Sequence, residues 1–187
     1  KLSLPSDDES FENSELTNLL LKESGYSRYE ISNYSLPGHQ SRHNRVYWKG
    51  LGWWGFGQGS TSSPWGGKFT RPRISKDYKE WVTKQCNINL DPSLVKQENS
   101  YKELDEEIML GMRLKEGVNI YRLINEQNWD NKNSAIALKK LLKEWERFLE
   151  SGLLIKRGNR FFLSDPQGME LSNQVLISMF EWWENIN

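Results

Sequence analysis

The chain reads as an α/β part followed by an α+β part, and three observations predict this. The first stretch mixes a capped helix with short extended runs rich in glycine and aromatic residues. The second runs helix, helix, helix, hairpin, helix, which is the order of a winged helix. Between them, residues 87–100 are polar and contain Asp91-Pro92, the texture of a linker. The expected division is residues 1–98 and residues 99–187.

Each element has a local reason. Ser6-Asp7-Asp8-Glu9 is a capping box, with Ser6 as N-cap and Glu9 reaching back. A helix should follow to Ser24, with Phe11, Leu16, Leu19 and Leu20 inward and Gly25 as the stop. Residues 26–34 read as extended, with Tyr29 and Ile31 alternating against polar neighbours. Pro37-Gly38 marks a turn. Residues 45–48 and 53–56 read as short strands, residues 60–67 as a loop, and Ser75 as the cap of a helix carrying Tyr78, Trp81 and Val82.

In the second part, residues 104–114 are helical, with Ile108, Met109 and Met112 inward and Gly117 closing. A short helix over 119–127 comes next. The strongest helix runs over 134–151, where Leu138, Leu141, Leu142, Trp145, Phe148 and Leu149 recur at three-and-four spacing before Gly152. Residues 153–156 and 160–163 flank Gly158-Asn159, a glycine-first two-residue hairpin turn. Asp165-Pro166 reads as cap then proline, opening the last helix.

Composition narrows the function. Twenty-five basic residues balance twenty-five acidic ones, which argues against a dedicated nucleic-acid binder. The long helix offers Lys139, Lys140, Lys143 and Arg147, but Glu144, Glu146 and Glu150 sit among them. That is a solvated mixed-charge face, and it suits packing or partner docking better than DNA. No apolar run is long enough to span a bilayer. The single cysteine, Cys86, allows no internal disulfide and no multi-cysteine metal site, and it points to a reducing compartment such as the cytoplasm. The chain opens on Lys1 and reads as a piece whose start is missing.

The stretch HNRVYWKGLGWWGFGQGS, residues 43–60, carries the chemistry. As a strand it would place His43, Arg45 and Tyr47 on one side and Asn44, Val46 and Trp48 on the other. Imidazole can donate to a haem iron, and Arg42 or Arg45 could pair with propionates. A histidine at the edge of an aromatic core is the other reading of the same residues. Gly55, Gly57 and Gly59 let a backbone approach a ligand or turn tightly. Residues 63–67 follow as loop instead of helix, which argues against a dinucleotide fingerprint. A tight turn or a loop touching a nucleoside-like cofactor both remain open. Cys86 reads as an unreactive thiol. Lys68, Arg71 and Arg73 read as a solvated loop or as a contact for phosphate or carboxylate.

GYSRYEISNYSLPGHQSRHNRVYWKG is more specific than its parts. It resembles the oxygen-independent coproporphyrinogen III oxidase-like radical-SAM family, and within it the haem-chaperone branch called HemW. The carriers are the run from Tyr29 to Tyr34, Pro37-Gly38, and HNxxYW at His43 to Trp48. GFGQGS with Thr61-Ser62 looks like the family's GxGxGAHS, with Thr61 where the family has histidine. The ending LSDPQGMELSNQVLISMF follows the family pattern at Gly168, Asn173 and Phe180.

The resemblance implies a fold: residues 1–98 as the C-terminal portion of a partial radical-SAM barrel, then residues 99–187 as a small winged-helix-like domain. It implies haem as ligand, with His43 as contact or iron ligand and Asn44, Tyr47 and Trp48 shaping the site. It places Gly57, Gly59 and Thr61 near S-adenosylmethionine. The family's CxxxCxxC is not in this chain, so the [4Fe-4S] cluster and its radical chemistry would belong to the complete protein. The expected activity is haem chaperoning toward respiratory haem proteins; the alternative is coproporphyrinogen III oxidation. Expected partners are haem or porphyrin, the missing half of the barrel and the haem-receiving proteins, with peripheral membrane contact, no membrane span and no nucleic acid.

Overall fold

The structure, a computed structural model, describes residues 4–64, 68–86 and 104–186. The expected linker, residues 87–100, therefore lies outside the described residues, as do Trp65, Gly66 and Gly67. The chain forms two compact units, one built from residues up to Arg42 together with those from Leu104 onward, the other from His43–Glu103. The expected single boundary near residue 98 instead separates an N-terminal hairpin from the C-terminal residues to which it is hydrogen-bonded.

In the first unit, Ser6 caps α1 (Asp7–Glu23) as predicted. Its hydroxyl accepts from the Glu9 N–H, and the Glu9 carboxylate accepts from the Ser6 N–H at 2.7 Å. These bonds to the charged form hold the Glu9 carboxyl below its ordinary range. Gly25, at φ 83°, ends the helix. The predicted inward face is not buried: Phe11, Leu16, Leu19 and Leu20 are all exposed. At about 100° per residue these four spread over half the helix circumference, with Phe11 and Leu20 on opposite sides, so they form no single inward face.

The extended run 26–34 resolves into two strands, β1 (Ser27–Glu30) and β2 (Asn33–Ser35), paired antiparallel. The turn between them is fixed by Glu30, whose carboxylate accepts from the Ser32 N–H and the Asn33 amide. Tyr29 is buried as expected. The hairpin docks on the chain after α4 (Leu104–Met112). Ile31 N–H donates to the Arg113 carbonyl at 3.0 Å, and Lys115 N–H to the Tyr29 carbonyl at 3.1 Å.

The remaining helices are α5 (Ile120–Asn125), capped by Asn119, and α6 (Asn131–Glu150), capped by Asp130. A hairpin of β5 (Leu154–Arg157) and β6 (Arg160–Leu163) turns at Gly158-Asn159 as predicted. Two last helices, α7 (Gln167–Glu170) and α8 (Ser172–Glu184), finish the chain. Ile108, Met112, Leu141, Trp145, Phe161 and Met179 sit fully buried in one cluster. Each such side chain contributes roughly 1.5–3 kcal/mol through burial. Leu138, Leu142 and Leu149 are partly buried at its margin. Trp182 closes it, donating its indole N–H to the Ala137 carbonyl at 3.0 Å.

One expected cap is a different device. Asp165 does not cap a helix; α7 starts after Pro166 with no side-chain cap bond. The Asp165 carboxylate lies 3.6 Å from Arg28 and 3.7 Å from Lys115. A charged group that could satisfy helix N–H groups instead balances a buried guanidinium, because burial makes an unpaired charge costly.

The second unit holds α2 (Arg42–Trp48), the strands β3 (Thr61–Ser62) and β4 (Phe69–Thr70), and α3 (Ser75–Cys86). No helix among the described residues is long and apolar enough to cross a membrane.

Candidate functional site

HNxxYW is a helix, not a strand. Residues 42–48 make two turns and stop at Gly50, whose φ of 57° permits the reversal. The expected alternation of faces is thereby replaced by i, i+4 neighbours. His43 and Tyr47 come together on one face, with Nε2 and Oη 3.0 Å apart and the rings edge-on at 4.8 Å. Arg45, two residues on, leaves the His43 face. Tyr47 in turn meets Trp53 edge-on at 4.9 Å. Trp53 is not in a strand of 53–56 but in a single bridge to Ser63, held by two backbone bonds of 3.1 and 2.9 Å.

The result is a ladder of three rings, His43, Tyr47 and Trp53, with His43 outermost and exposed. Asn44 and Trp48, half-buried beside it, are engaged with neighbours. Sequence reasoning named His43, Asn44, Tyr47 and Trp48 but not Trp53. The aromatic density of the quoted stretch was the signal for it; the backbone bridge that seats it was not legible.

The glycine loop is rigid where it must be. A Cβ on Gly55 would stand 2.0 Å from the Thr61 carbonyl oxygen. Only glycine lets residues 55 and 61 approach this closely, with the Gly55 N–H donating to Ser62 Oγ at 2.9 Å. Gly57 and Gly59 take φ values of 90° and 70°, and Gly59 N–H donates to the Pro72 carbonyl at 2.9 Å. Thr61, expected in a loop, instead opens β3, and its hydroxyl shares a 2.8 Å bond with Thr70.

Arg71 is a further correction. It is buried instead of solvated, donating to Ser62 Oγ at 2.8 Å and lying 5.3 Å from the ring centres of Phe69 and Trp81. It braces the loop, while Arg73 and Lys68 stay exposed. Cys86 closes α3.

A flat tetrapyrrole asks for an axial nitrogen donor and apolar surface. His43 supplies the first. Trp54 and Phe56, at 50% and 87% accessibility, are exposed apolar surface in the same stretch of chain. Coordination through Nε2 would displace Tyr47 from that nitrogen. The exposed imidazole is the donor type a haem iron takes. The chain's single cysteine cannot provide the three thiolates of a site-differentiated four-iron cluster.

No protein-family model matches the chain. The heme chaperone HemW of Synechocystis is 33% identical over 170 residues, covering 86% of this chain and 41% of that protein. HemW of Lactococcus lactis is 28% identical over 174 residues, covering 93% and 43%. The solved structure of Escherichia coli coproporphyrinogen III oxidase HemN, a radical SAM enzyme, superimposes with a TM-score of 0.64 at 15% identity. It covers 94% of this chain and 42% of that one.

The chain belongs to the HemW/HemN-like radical-SAM family.

It spans about two fifths of the length of the curated relatives it matches. A further relative, the zebrafish radical S-adenosyl methionine domain-containing protein 1, mitochondrial, is 25% identical over 191 residues, covering 95% of this chain and 38% of that protein. The HemN likeness establishes the fold alone.

Proposed function

We propose that the chain is the C-terminal portion of a HemW-like haem chaperone, with haem held at the HNxxYW helix. The observation that carries this is the exposed His43 imidazole at the head of the Tyr47–Trp53 ladder. The relatives bearing the name HemW support the same reading. In it His43 contacts haem or ligates its iron. Tyr47, Asn44 and Trp48 orient the helix face. Gly57, Gly59 and Thr61 line the approach to S-adenosylmethionine. That cofactor and the [4Fe-4S] cluster belong to the complete protein, whose cysteine motif would supply the thiolates.

Residues 1–98 then supply the last portion of the barrel, and residues 99–187 a winged-helix-like domain, with β5–β6 as the wing. This division is one of descent; the compact units follow packing instead. The protein works in the cytoplasm and touches the membrane only peripherally, delivering haem to respiratory haem proteins. The second reading, oxygen-independent coproporphyrinogen III oxidase, shares the fold seen in HemN.

The test is a paired assay on the full-length protein. Haem-loaded protein is mixed with an apo-cytochrome of the respiratory chain, and the same protein is given coproporphyrinogen III with S-adenosylmethionine and reductant. The chaperone reading expects haem transfer and no loss of propionate carboxyl groups. Decarboxylation without haem transfer would replace it with the oxidase.

A further inference from the structure

The first unit carries a cleft that the haem reading does not use. It measures about 640 Å³, within the range of small-molecule sites. One wall is α1, through Asn18 and Lys22; the other is the β5–β6 hairpin and the segment at Asp165-Pro166. Tyr26, Ile155 and Phe162 supply apolar surface inside it.

Its charge is one-sided. Five cationic side chains, Lys22, Arg28, Lys115, Arg157 and Arg160, face two carboxylates, Glu116 and Asp165. Three of the cations have defined partners. Arg28 is 5% exposed and tied to Tyr34, Asp165 and Glu170. Lys115 shares Asp165 with it. Arg160 donates to the Glu116 and Gly117 carbonyls at 2.9 and 2.7 Å. Those carbonyls fix the guanidinium without cancelling its charge.

Lys22 and Arg157 form no ion pair among the described residues. Arg157 is nonetheless positioned, its guanidinium 5.0 Å from the centre of the Phe162 ring. A cation held against an aromatic face keeps its N–H edge for an acceptor. The cleft thus joins apolar surface to a cationic rim whose charge the protein leaves uncompensated.

We propose that this cleft binds an organic anion: a flat apolar body seated on Tyr26, Ile155 and Phe162, with a carboxylate or phosphate group taken by Lys22 and Arg157. The site is built wholly from the first unit and is independent of His43.

The experiment titrates the full chain by calorimetry with four probes: naphthalene dicarboxylate, naphthyl phosphate, the uncharged naphthalene dimethanol, and inorganic phosphate. The expected result is saturable binding of a charged naphthalene at least about tenfold tighter than the uncharged one and than inorganic phosphate; about 1.4 kcal/mol corresponds to that factor. The stronger of the two charged probes identifies the head group. Lys22→Glu with Arg157→Glu should weaken that binding about tenfold or more with an unchanged far-ultraviolet CD spectrum. Arg157→Lys should retain most of it, and His43→Ala all of it. Equal binding of the uncharged probe, equal binding by the charge-reversed variant, or no saturation overturns the proposal. Loss of probe binding in His43→Ala would also overturn it, by assigning the probe to the haem face.

Discussion

Replacing Arg28 with methionine is the sharpest test of how the N-terminal hairpin is fastened. Arg28 lies on β1, yet its guanidinium reaches Asp165 at 3.6 Å and Glu170 at 3.4 Å, more than 130 residues further along the chain. It also donates to the Tyr34 hydroxyl at 2.8 Å. Glu170 accepts from Ser14 of α1 at 3.0 Å through the same oxygen, while its other oxygen is buried without a hydrogen-bond partner. Methionine fills the volume of the side chain's stem but removes the cation paired with Glu170 and leaves Asp165 with Lys115 alone. Removing one member of a fully buried pair costs about 3–5 kcal/mol. Asp165 and Glu170 keep 22% and 15% accessibility, so solvent screening lowers the expected loss to about 2–3 kcal/mol. With a urea slope of about 2 kcal/mol/M, the midpoint should fall by about 1 M or more.

Urea unfolding followed by far-ultraviolet CD reads this directly. Adding Glu170→Gln to Arg28→Met should recover part of the loss, because the amide needs no counter-charge and can still accept from Ser14. A midpoint within about 0.2 M of the parent, which on that slope is less than about 0.5 kcal/mol, would refute the reasoning. So would a double variant less stable than the single one.

Three further outcomes follow from the same packing. Gly117→Ala should destabilise by more than the roughly 1–2 kcal/mol of a left-handed residue, since its Cβ would stand 2.0 Å from the Phe161 carbonyl oxygen; thermal melting checks this. Trp182→Phe should cost about 0.5–1.5 kcal/mol by losing the indole bond to the Ala137 carbonyl, which keeps its place in the α6 ladder, read by urea midpoint. The Glu9 carboxyl titrates below its unfolded value, so its stabilisation of α1 is complete above the unfolded pKa and is lost as pH falls through the folded one. An acid titration of helical CD should therefore show a step that Glu9→Gln abolishes.

The parts legible in the sequence are those set by neighbours in the chain. The Ser6–Glu9 box, the stripe on α6 and the Gly158-Asn159 turn each depend on residues within a few positions, and each forms as read. HNxxYW was misread because Val46, Tyr47 and Trp48 favour strands by composition, and seven residues are too few to show a helical period. Only the contact of His43 with Tyr47 reveals it. Phe11, Leu16, Leu19 and Leu20 of α1, expected inward, are all exposed, and their spacing spreads them over half the helix circumference instead of one face. The roles of Asp165 and Arg71 depend on partners that folding brings close: Arg28 far along the chain, and the strand pair carrying Ser62. The sequence offers no spacing that encodes them.

The central claim is that His43 is the haem-facing residue. Its most direct test is a haem titration of this chain followed at the Soret band, with His43→Ala measured beside it. The account predicts saturable binding at one site, with the band shifted and the affinity reduced at least about tenfold, or about 1.4 kcal/mol, in the variant. An identical band and affinity in His43→Ala would contradict it and return His43 to the edge of an aromatic cluster.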